Sequence, residues 1–389
     1  MKQLQSSFTF ATAQTVHFGT DTLGKLGDMA GSILGNRCLI VTDKGLVATG
    51  IVDQALAALQ AEGFLCDVFD EVEADPSEGT VLSAVARAIE LGSESIVGLG
   101  GGSSLDVAKL VAYLAGTGEQ IAEIYGMGLA TGSRLPLVLI PTTSGTGSEV
   151  TPIAIVTTPS SEKMGVVSPA LLPDMAVLDA TLTLGLPANT TAATGIDAMV
   201  HAIEAYASAS PNNNPISRTL ALEALRLLGG SLLRGVHHGQ DLEARSRLLI
   251  GSMLAGQAFA NSPVAAVHAL AYPIGGHFKI PHGLSNALVL PHVLRFNAES
   301  VPESYAEMAS AAFPHLADIP QDMRAEAFCE ALAKLSNDCG LPQRLRDVGI
   351  GRDSLPMMAK DVMNQSRLLV NNPRLVTEAD ALSIYEAAW

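Results

Sequence analysis

The chain has 389 residues, of which 48% are hydrophobic and 16% are charged, and its formal net charge is −16. This composition is typical of a globular protein with room for two sizeable cores. The acidic balance argues against nucleic acids or anionic membranes as partners, because both require basic surface. Apolar runs such as residues 135–140 are far shorter than the roughly 20 residues that cross a bilayer.

The start of the chain and its cysteines indicate where the protein resides. The first ten residues contain neither the apolar stretch nor the small-residue cleavage site of an export signal. The four cysteines form no CxxC pair and no metal-binding spacing, and we interpret them as buried reduced thiols. Both features predict a cytoplasmic protein.

The first half of the chain alternates short β-rich runs with helical stretches. The pattern predicts strands over 38–41, 65–69, 95–99, 135–140, 153–157 and 175–178, and helices over 45–62, 77–91 and 104–116. Alternation of this kind is typical of parallel βαβ units.

The composition and the hydrophobic pattern of the sequence change after Leu186-Pro187. Long segments rich in Leu, Ala and Met follow, separated by clusters of Pro, Gly and Asn such as residues 210–214. Strand-like alternation almost disappears. We therefore predict an α/β domain over residues 1–185, followed by an all-helical domain over 186–389.

A glycine-rich turn follows the predicted strand 95–99. Gly100, Gly101 and Gly102 precede Ser103, and glycines here let the backbone approach a diphosphate while the helix terminus offers free N–H groups. The spacing does not match G-x-G-x-x-G. Ser103 with Asp106 would alternatively form a capping box for an ordinary helix. Three successive glycines exceed what a cap requires, so we favour an anion site.

Two further polar features follow predicted strands. The loop 141–149, which includes Thr142 and Thr143, lies at the carboxyl end of a strand, where open α/β sheets bind ligands. Its hydroxyls and amides suit phosphates or a nicotinamide. Asp43 follows the first predicted strand, where a carboxylate bonds ribose hydroxyls and repels a 2′-phosphate, favouring NAD over NADP. An N-cap for the next helix explains Asp43 equally well.

A possible metal site begins in the second half with Asp197 and His201. Their i, i+4 spacing stacks both side chains on one face of a helix. A lone His on an apolar face is usually a core residue, but burying a carboxylate one turn away without a cation is costly. Glu204, three residues after His201, is either an acceptor behind the site or solvated surface, and we favour surface.

Further ligand candidates come from the histidines between residues 268 and 292. His268 and His282 are the candidates, whereas His277 either reaches the site or faces solvent, and His292 is interpreted as structural. One carboxylate and three imidazoles suit a divalent transition metal.

Together these motifs resemble the iron-containing (group III) alcohol dehydrogenase family over nearly the whole chain. The resemblance rests on residues 100–103 with Asp106, the 141–149 loop, residues 194–201, His268, residues 281–283 and residues 372–374. It implies a dehydroquinate synthase-like architecture, in which a dinucleotide-binding parallel-sheet domain precedes an all-helical domain that binds metal and substrate.

The resemblance also implies two cofactors and the residues that hold them. NAD would bind at Asp43, Gly100, Gly101, Gly102, Ser103, Thr142, Thr143 and Lys163, the last bonding a ribose hydroxyl. Fe²⁺, or Zn²⁺, would bind at Asp197, His201, His268 and His282. The metal would act as a Lewis acid on the substrate oxygen, and NAD would carry the hydride.

Two positions depart from the family pattern. Tyr272 stands where many relatives have a further His, as in the hydroxyacid–oxoacid transhydrogenase branch, although the longer insertion of that branch is absent. Asp75 replaces a common Asn near the adenosine, so it can accept a hydrogen bond but not donate one. The proton route stays open: a ribose–water chain ranks first, and Tyr272 and His277 are the side-chain candidates.

We therefore predict an oxidoreductase that transfers a hydride between NAD and a small alcohol or aldehyde. A short primary alcohol or diol is the first expectation for the substrate, because no Arg obviously awaits a carboxylate. Alternatives are a transhydrogenase-like enzyme, a metal-free maleylacetate reductase-like enzyme, a glycerol dehydrogenase, a dehydroquinate-synthase-like lyase and a non-catalytic binding protein. Homo-oligomers, dimers or larger, are common in the family and are expected.

Overall fold

The computed structural model describes residues 7–160 and 162–389. The predicted absence of an export signal falls mainly on residues 1–6, which lie outside the described residues. The described chain divides into two compact units, Ala11–Leu184 and Gly185–Trp389, and residues 7–10 belong to the second. That the cofactor belongs to residues 1–185 and the metal to 186–389 stays a prediction.

The first unit is an α/β unit. Its strands are β1 (Thr15–Gly19), β2 (Arg37–Val41), β3 (Leu65–Phe69), β4 (Ser95–Gly100), β5 (Gly126–Met127), β6 (Leu137–Pro141), β7 (Ile153–Thr157), β8 (Lys163–Val167) and β9 (Met175–Asp179). Its helices are α1 (Leu26–Ala30), α2 (Lys44–Val47), α3 (Ile51–Ala61), α4 (Glu78–Glu90), α5 (Gly102–Thr117) and α6 (Ile121–Ile124).

Six of these strands form a parallel sheet in the order β1-β9-β6-β4-β2-β3, which confirms the predicted parallel-sheet fold. The central strands β4, β6 and β9 are buried along their whole length. Successive side chains of β2 enter different cores: Leu39 joins the cluster of α4 and α5, and Ile40 joins that of α1 and α3. This alternation is what a sheet covered on both faces requires.

Two details of the α/β unit differ from expectation. The predicted helix 45–62 is two helices, α2 and α3, because Gly50 between them adopts a left-handed conformation with φ of 79°. The predicted strand 153–157 does not join the parallel sheet. As β7 it pairs antiparallel with β8 in a separate three-stranded sheet of order β5-β8-β7.

The second unit is helical, as predicted. Its helices are α7 (Ala188–Ala207), α8 (Pro215–Gly229), α9 (Leu232–His237), α10 (Leu242–Asn261), α11 (Ala266–Phe278), α12 (His282–Ala298), α13 (Pro302–Ala312), α14 (Gln321–Asp338), α15 (Leu355–Val362), α16 (Ser366–Leu369) and α17 (Glu378–Ala388). Helix α7 is buried over most of its length and packs against α8, α10 and α12. Among the described residues, no helix is both long and apolar enough to cross a membrane.

The close packing of β4 against α5 gives a test of the fold. A Cβ at Gly98 would lie 2.7 Å from the Cβ of Ala108 and 2.6 Å from Leu139 Cδ2. We expect Gly98→Ala to lower the free energy of unfolding by about 1–3 kcal/mol, because the strand and helix must separate. Denaturant unfolding measures this. Gly24→Ala, where nothing lies within 4 Å, is the control; equal stability of both variants would contradict this packing.

Candidate metal centre and cofactor loops

Helix α7 carries three polar side chains on one buried face. Asp197, His201 and Glu204 follow one another at i, i+4 and i+7, and they are 2%, 5% and 6% exposed. Residues at this spacing lie on the same face of a helix. Their neighbours on α7 are Ala, Ile, Met and Val, so the polar face lies within an otherwise apolar interior.

The four predicted metal ligands come together in the helical unit. One donor atom from each of Asp197, His201, His268 and His282 lies within 4.8 Å of the other three. The Nε2 atoms of His201 and His268 are 3.1 Å apart, and His282 Nε2 is 3.6 Å from Asp197 Oδ1. His268 is on α11 and His282 begins α12, so three helices supply the cluster.

Gly283 explains how α12 reaches α7. A Cβ at this position would lie 2.5 Å from the backbone oxygen of Ala193 and 3.4 Å from the Cβ of Asp197. Only glycine lets the two helices approach this closely. The glycine that follows His282 in the sequence therefore serves to bring that imidazole to Asp197.

Glu204 is not on the surface, and the preferred sequence interpretation of it was wrong. Its carboxylate accepts hydrogen bonds from the backbone N–H of Val267 (2.6 Å) and from His268 Nδ1 (2.7 Å). A carboxylate only accepts, so the proton of His268 lies on Nδ1 and the Nε2 lone pair faces the cluster. Metal-binding histidines are oriented in this way by a carboxylate behind them.

Asn286 belongs to the cluster and was missed in the sequence. Its Nδ2 lies 2.5 Å from Asp197 Oδ1 and 3.3 Å from His282 Nε2. Its Oδ1 is buried without a hydrogen-bond partner among the described residues. The available signal was its position four residues after His282, which places both side chains on the same face of α12.

The charge of Asp197 is set by its surroundings. Burial acts to raise the pKa of this carboxyl group, but the imidazoles of His201, His282 and His268 and the amide of Asn286 together outweigh burial. The pKa of Asp197 therefore lies below its usual value. The carboxylate is ionised at neutral pH and offers a negative charge to a cation.

These donors fit a single divalent metal. Two imidazole nitrogens, each at about 2.0–2.1 Å from one tetrahedral ion, lie about 3.3 Å apart, close to the 3.1 Å between the Nε2 atoms of His201 and His268. Three imidazoles and one carboxylate are borderline ligands that suit Fe²⁺ or Zn²⁺.

The two candidates for proton transfer lie in different surroundings. The ring of Tyr272 is 6.4 Å from that of His282, centroid to centroid. Burial raises the pKa of the Tyr272 hydroxyl, and Arg367, whose Nη2 lies 3.4 Å away, offsets only part of this rise. His277 is 44% exposed and pairs with Asp361 at 2.7 Å. Burial lowers the pKa of His292 to about 4, in keeping with a structural residue.

The two glycine-rich loops of the α/β unit meet. The backbone N–H of Thr142 donates to the carbonyl of Gly100 at 2.9 Å. A Cβ at Gly101 would contact Thr143 at 3.6 Å, and one at Gly102 would collide with Thr146 at 2.7 Å. Gly102 is therefore needed where the loops approach each other, whereas a Cβ at Gly101 would meet Thr143 at an ordinary van der Waals distance.

Asp43 and Gly100 are also neighbours. Asp43 Oδ1 caps α2 by accepting from the backbone N–H of Leu46 at 2.9 Å. Its Oδ2 would lie 3.6 Å from a Cβ at Gly100, whose φ is +151°. The N-cap interpretation is thus correct, and the second oxygen remains beside the glycine turn. The two interpretations of Asp43 are compatible.

The capping-box alternative for Ser103 and Asp106 is wrong. The N-cap of α5 is Gly101, without a side-chain bond, and Ser103 lies inside the helix. The carboxylate of Asp106 instead accepts from Ser148 Oγ at 2.6 Å and from the backbone N–H of Ile155 at 3.0 Å. It therefore ties α5 to the 141–149 loop and to β7.

Lys109 strengthens the same connection and was not singled out in the sequence. Its fully buried ammonium donates to Ser148 Oγ at 2.7 Å and to the carbonyl of Ile153 at 2.6 Å. Burial lowers the pKa of Lys109, and the neighbouring Asp106 partly counters this effect. A buried lysine paired in this way fixes the loop that contains Thr142 and Thr143.

Lys163 pairs with Asp75, the second of the two positions that depart from the family pattern. It begins β8, and its Nζ lies 2.5 Å from Asp75 Oδ1. Asp75 has a left-handed backbone with φ of 54°, and its carbonyl accepts from Thr157 Oγ1. Asp75 therefore acts as an acceptor, as expected from the sequence, but its donor is Lys163.

The comparisons with known proteins agree over the whole chain. Residues 13–180 match the iron-containing alcohol dehydrogenase family, and residues 191–389 match the C-terminal part of the Fe-containing alcohol dehydrogenase family. Long-chain-alcohol dehydrogenase 1 of Geobacillus thermodenitrificans is 40% identical over 379 residues, covering 96% of this chain and 94% of its own.

Two solved structures extend the likeness to the fold. A 1,3-propanediol oxidoreductase has a TM-score of 0.95 at 34% identity, covering 98% of this chain and 100% of its own. The sulfoacetaldehyde reductase of Bifidobacterium kashiwanohense, solved with NAD⁺, has a TM-score of 0.87 at 27% identity and covers 98% of both chains. The chain therefore belongs to the iron-containing alcohol dehydrogenase family and is a metal-dependent oxidoreductase that interconverts alcohols and aldehydes with NAD.

Proposed function

We propose that this enzyme holds Fe²⁺, with Zn²⁺ as the alternative, at Asp197, His201, His268 and His282, and that it acts on a short primary alcohol or diol. The observation that carries the proposal is the convergence of these four donors from three helices within 4.8 Å. Residues 186–389 would thus form the metal-binding and substrate domain, and residues 1–185 the NAD domain.

The residues of the chain prepare this site for the metal. When bound, the metal supplies Lewis acidity toward a substrate oxygen, and NAD exchanges the hydride. Glu204 holds the proton of His268 on Nδ1, so that Nε2 is available as a ligand. Asn286 occupies one oxygen of Asp197 and thereby fixes the direction of the carboxylate.

For NAD we propose the loop residues of the α/β unit. Gly100, Gly101, Gly102 and Ser103 would bind the diphosphate at the start of α5, where backbone N–H groups are available. Thr142 and Thr143 lie against this turn. Asp43 would bond ribose hydroxyls with the oxygen that does not cap α2, and Lys163 would share its donors between Asp75 and a ribose.

The proton route proposed here is a ribose–water chain. Because burial raises the pKa of Tyr272, its hydroxyl stays protonated at neutral pH and is a poor base. His277 is occupied by Asp361. Tyr272 and His277 remain candidates, and an unchanged pH profile of turnover in Tyr272→Phe would exclude the tyrosine.

Two rival activities remain within this architecture. Tyr272 favours a transhydrogenase-like enzyme, which would pass the hydride to an oxoacid without releasing NADH. A maleylacetate reductase-like enzyme would need no metal, and the four converging donors argue against it. The names of the relatives, which include a long-chain alcohol, 1,3-propanediol and sulfoacetaldehyde, span several substrate classes.

We further propose a cytoplasmic homo-oligomer that binds neither nucleic acid nor membrane; sedimentation velocity would give the assembly state.

Metal removal tests the central proposal. A chelator should abolish NAD-linked alcohol oxidation, and Fe²⁺ or Zn²⁺ should restore it, because the Lewis acid is lost and regained. His268→Ala should lose metal while the far-ultraviolet dichroism of the fold is kept. Full activity in a preparation shown by elemental analysis to be metal-free would refute this assignment.

The role of Asp43 is tested by a substitution that keeps the helix cap. Asp43→Ser removes the charge but retains an N-cap oxygen, so stability should change little. We expect the ratio of kcat/KM for NADPH to that for NADH to rise by about tenfold or more, since one unfavourable charge contact with the 2′-phosphate disappears. An unchanged ratio would show that Asp43 does not face the ribose.

The support of His268 by Glu204 predicts a loss of metal affinity. Glu204→Gln can donate to or accept from Nδ1, so the imidazole is no longer held in one tautomer. We expect the metal dissociation constant to rise by about 10–100-fold, measured by competition with a chromophoric chelator. Glu330→Gln, an exposed site on α14, is the matched control. Equal affinities in both variants would contradict the role of Glu204.

A further inference from the structure

Arg367 places a positive charge close to the metal-ligand cluster. It lies on α16, and its Nη2 is 3.4 Å from the hydroxyl of Tyr272. The other end of the same tyrosine, its ring, is 6.4 Å from the ring of His282. One tyrosine side chain therefore separates this guanidinium from His282, a proposed metal ligand.

The donors of Arg367 are largely unused. Over residues 7–160 and 162–389, no carboxylate lies within ion-pair distance of it. The nearby Asp361 is paired with His277 instead. A guanidinium has five N–H donors, and the one long bond to Tyr272 occupies one of them. Arg367 is exposed, and it differs from the chain's other exposed arginines without an acidic partner, such as Arg344, by its place beside Tyr272.

We propose that Arg367, together with the hydroxyl of Tyr272, binds an anionic group at the end of the substrate remote from the reacting carbon. The substrate would be a short aldehyde or primary alcohol that carries a terminal carboxylate or sulfonate. A guanidinium forms paired hydrogen bonds with two oxygens of such an anion. This inference rests on the proposed function, because it takes the four-donor cluster as the place of the reacting oxygen.

The geometry also limits where the anion sits on the substrate. Arg367 and His282 contact Tyr272 from different sides, through its hydroxyl and near its ring respectively. A carboxylate directly adjacent to the carbonyl would lie beside the cluster and not beside the guanidinium. The proposal therefore requires a spacer of carbon atoms between the carbonyl and the anion.

The test compares matched pairs of substrates. Metal-loaded enzyme and NADH would be assayed with the semialdehydes of three-, four- and five-carbon dicarboxylic acids, each against its methyl ester. A sulfonate of equal length forms a further arm. We expect kcat/KM to favour the anion over its ester, and Arg367→Gln to lower kcat/KM for the anion by about 10–100-fold, mainly through KM. The ester should change less than twofold, and Arg367→Lys should keep part of the preference.

A second readout and a matched variant make the test independent of turnover. Calorimetry with glutarate, which cannot be reduced, should show weaker binding to Arg367→Gln than to the parent. Arg295→Gln removes the same charge from a site where the arginine pairs with Glu326, and it should leave both readouts unchanged.

Three results would overturn the inference. If Arg367→Gln lowers kcat/KM equally for anion and ester, Arg367 only supports the fold around Tyr272. If the parent prefers the esters and glutarate does not bind, the site does not select anions, while the proposed alcohol dehydrogenase activity stands. If neither member of any pair is reduced by metal-loaded, NADH-bound enzyme, the proposed function itself fails.

Discussion

The structure of the helical unit depends on the burial of one ionised carboxylate. Asp197 is 2% exposed within an apolar helix, where an unpaired charge would cost several kcal/mol. Three imidazoles and the amide of Asn286 surround it and keep its pKa below the usual value. Each of these groups comes from a different position on α7, α11 or α12, so satisfying this charge requires that the three helices pack in one arrangement. The site and the core of the unit are therefore specified by the same contacts.

A buried charge also organises the α/β unit, but there the charge is positive. Lys109 is a buried cation whose ammonium donates to the hydroxyl of Ser148 in the loop that follows β6, to a carbonyl of β7 and to Asp106. In both units, a charge that is too costly to leave unpaired fixes the position of the backbone that carries the residues proposed to bind a ligand. Both sites also need close approach of backbone segments, which glycine permits. Gly102 packs against Thr146 in one unit, and Gly283 packs against Ala193 in the other.

Sequence patterns were sufficient for what depends on periodicity and were insufficient for what depends on partners. The parallel sheet follows from the alternation of strand-like and helical stretches, and the pairing of Asp197 with His201 follows from their i, i+4 spacing. Glu204 was misplaced because a glutamate looks solvated until the distant His268 is beside it, 64 residues along the chain. Asp106 was assigned to a local cap because its true partner, Ser148, is 42 residues away. Arg367 escaped notice for the same reason, since nothing within its own segment indicates Tyr272.

The approach of α12 to α7 at Gly283 has a thermodynamic consequence. Because the backbone of α12 rests on the carbonyl of Ala193 with no side chain between them, main-chain packing fixes the point on α12 from which the His282 side chain extends. The loss of conformational entropy that ordering this ligand requires takes place when the chain folds. Binding a cation then demands little further ordering, so that the intrinsic affinity of the donors is expressed almost in full. Gly283 therefore favours metal binding by lowering the entropy that is lost when the metal binds, although it is not itself a ligand.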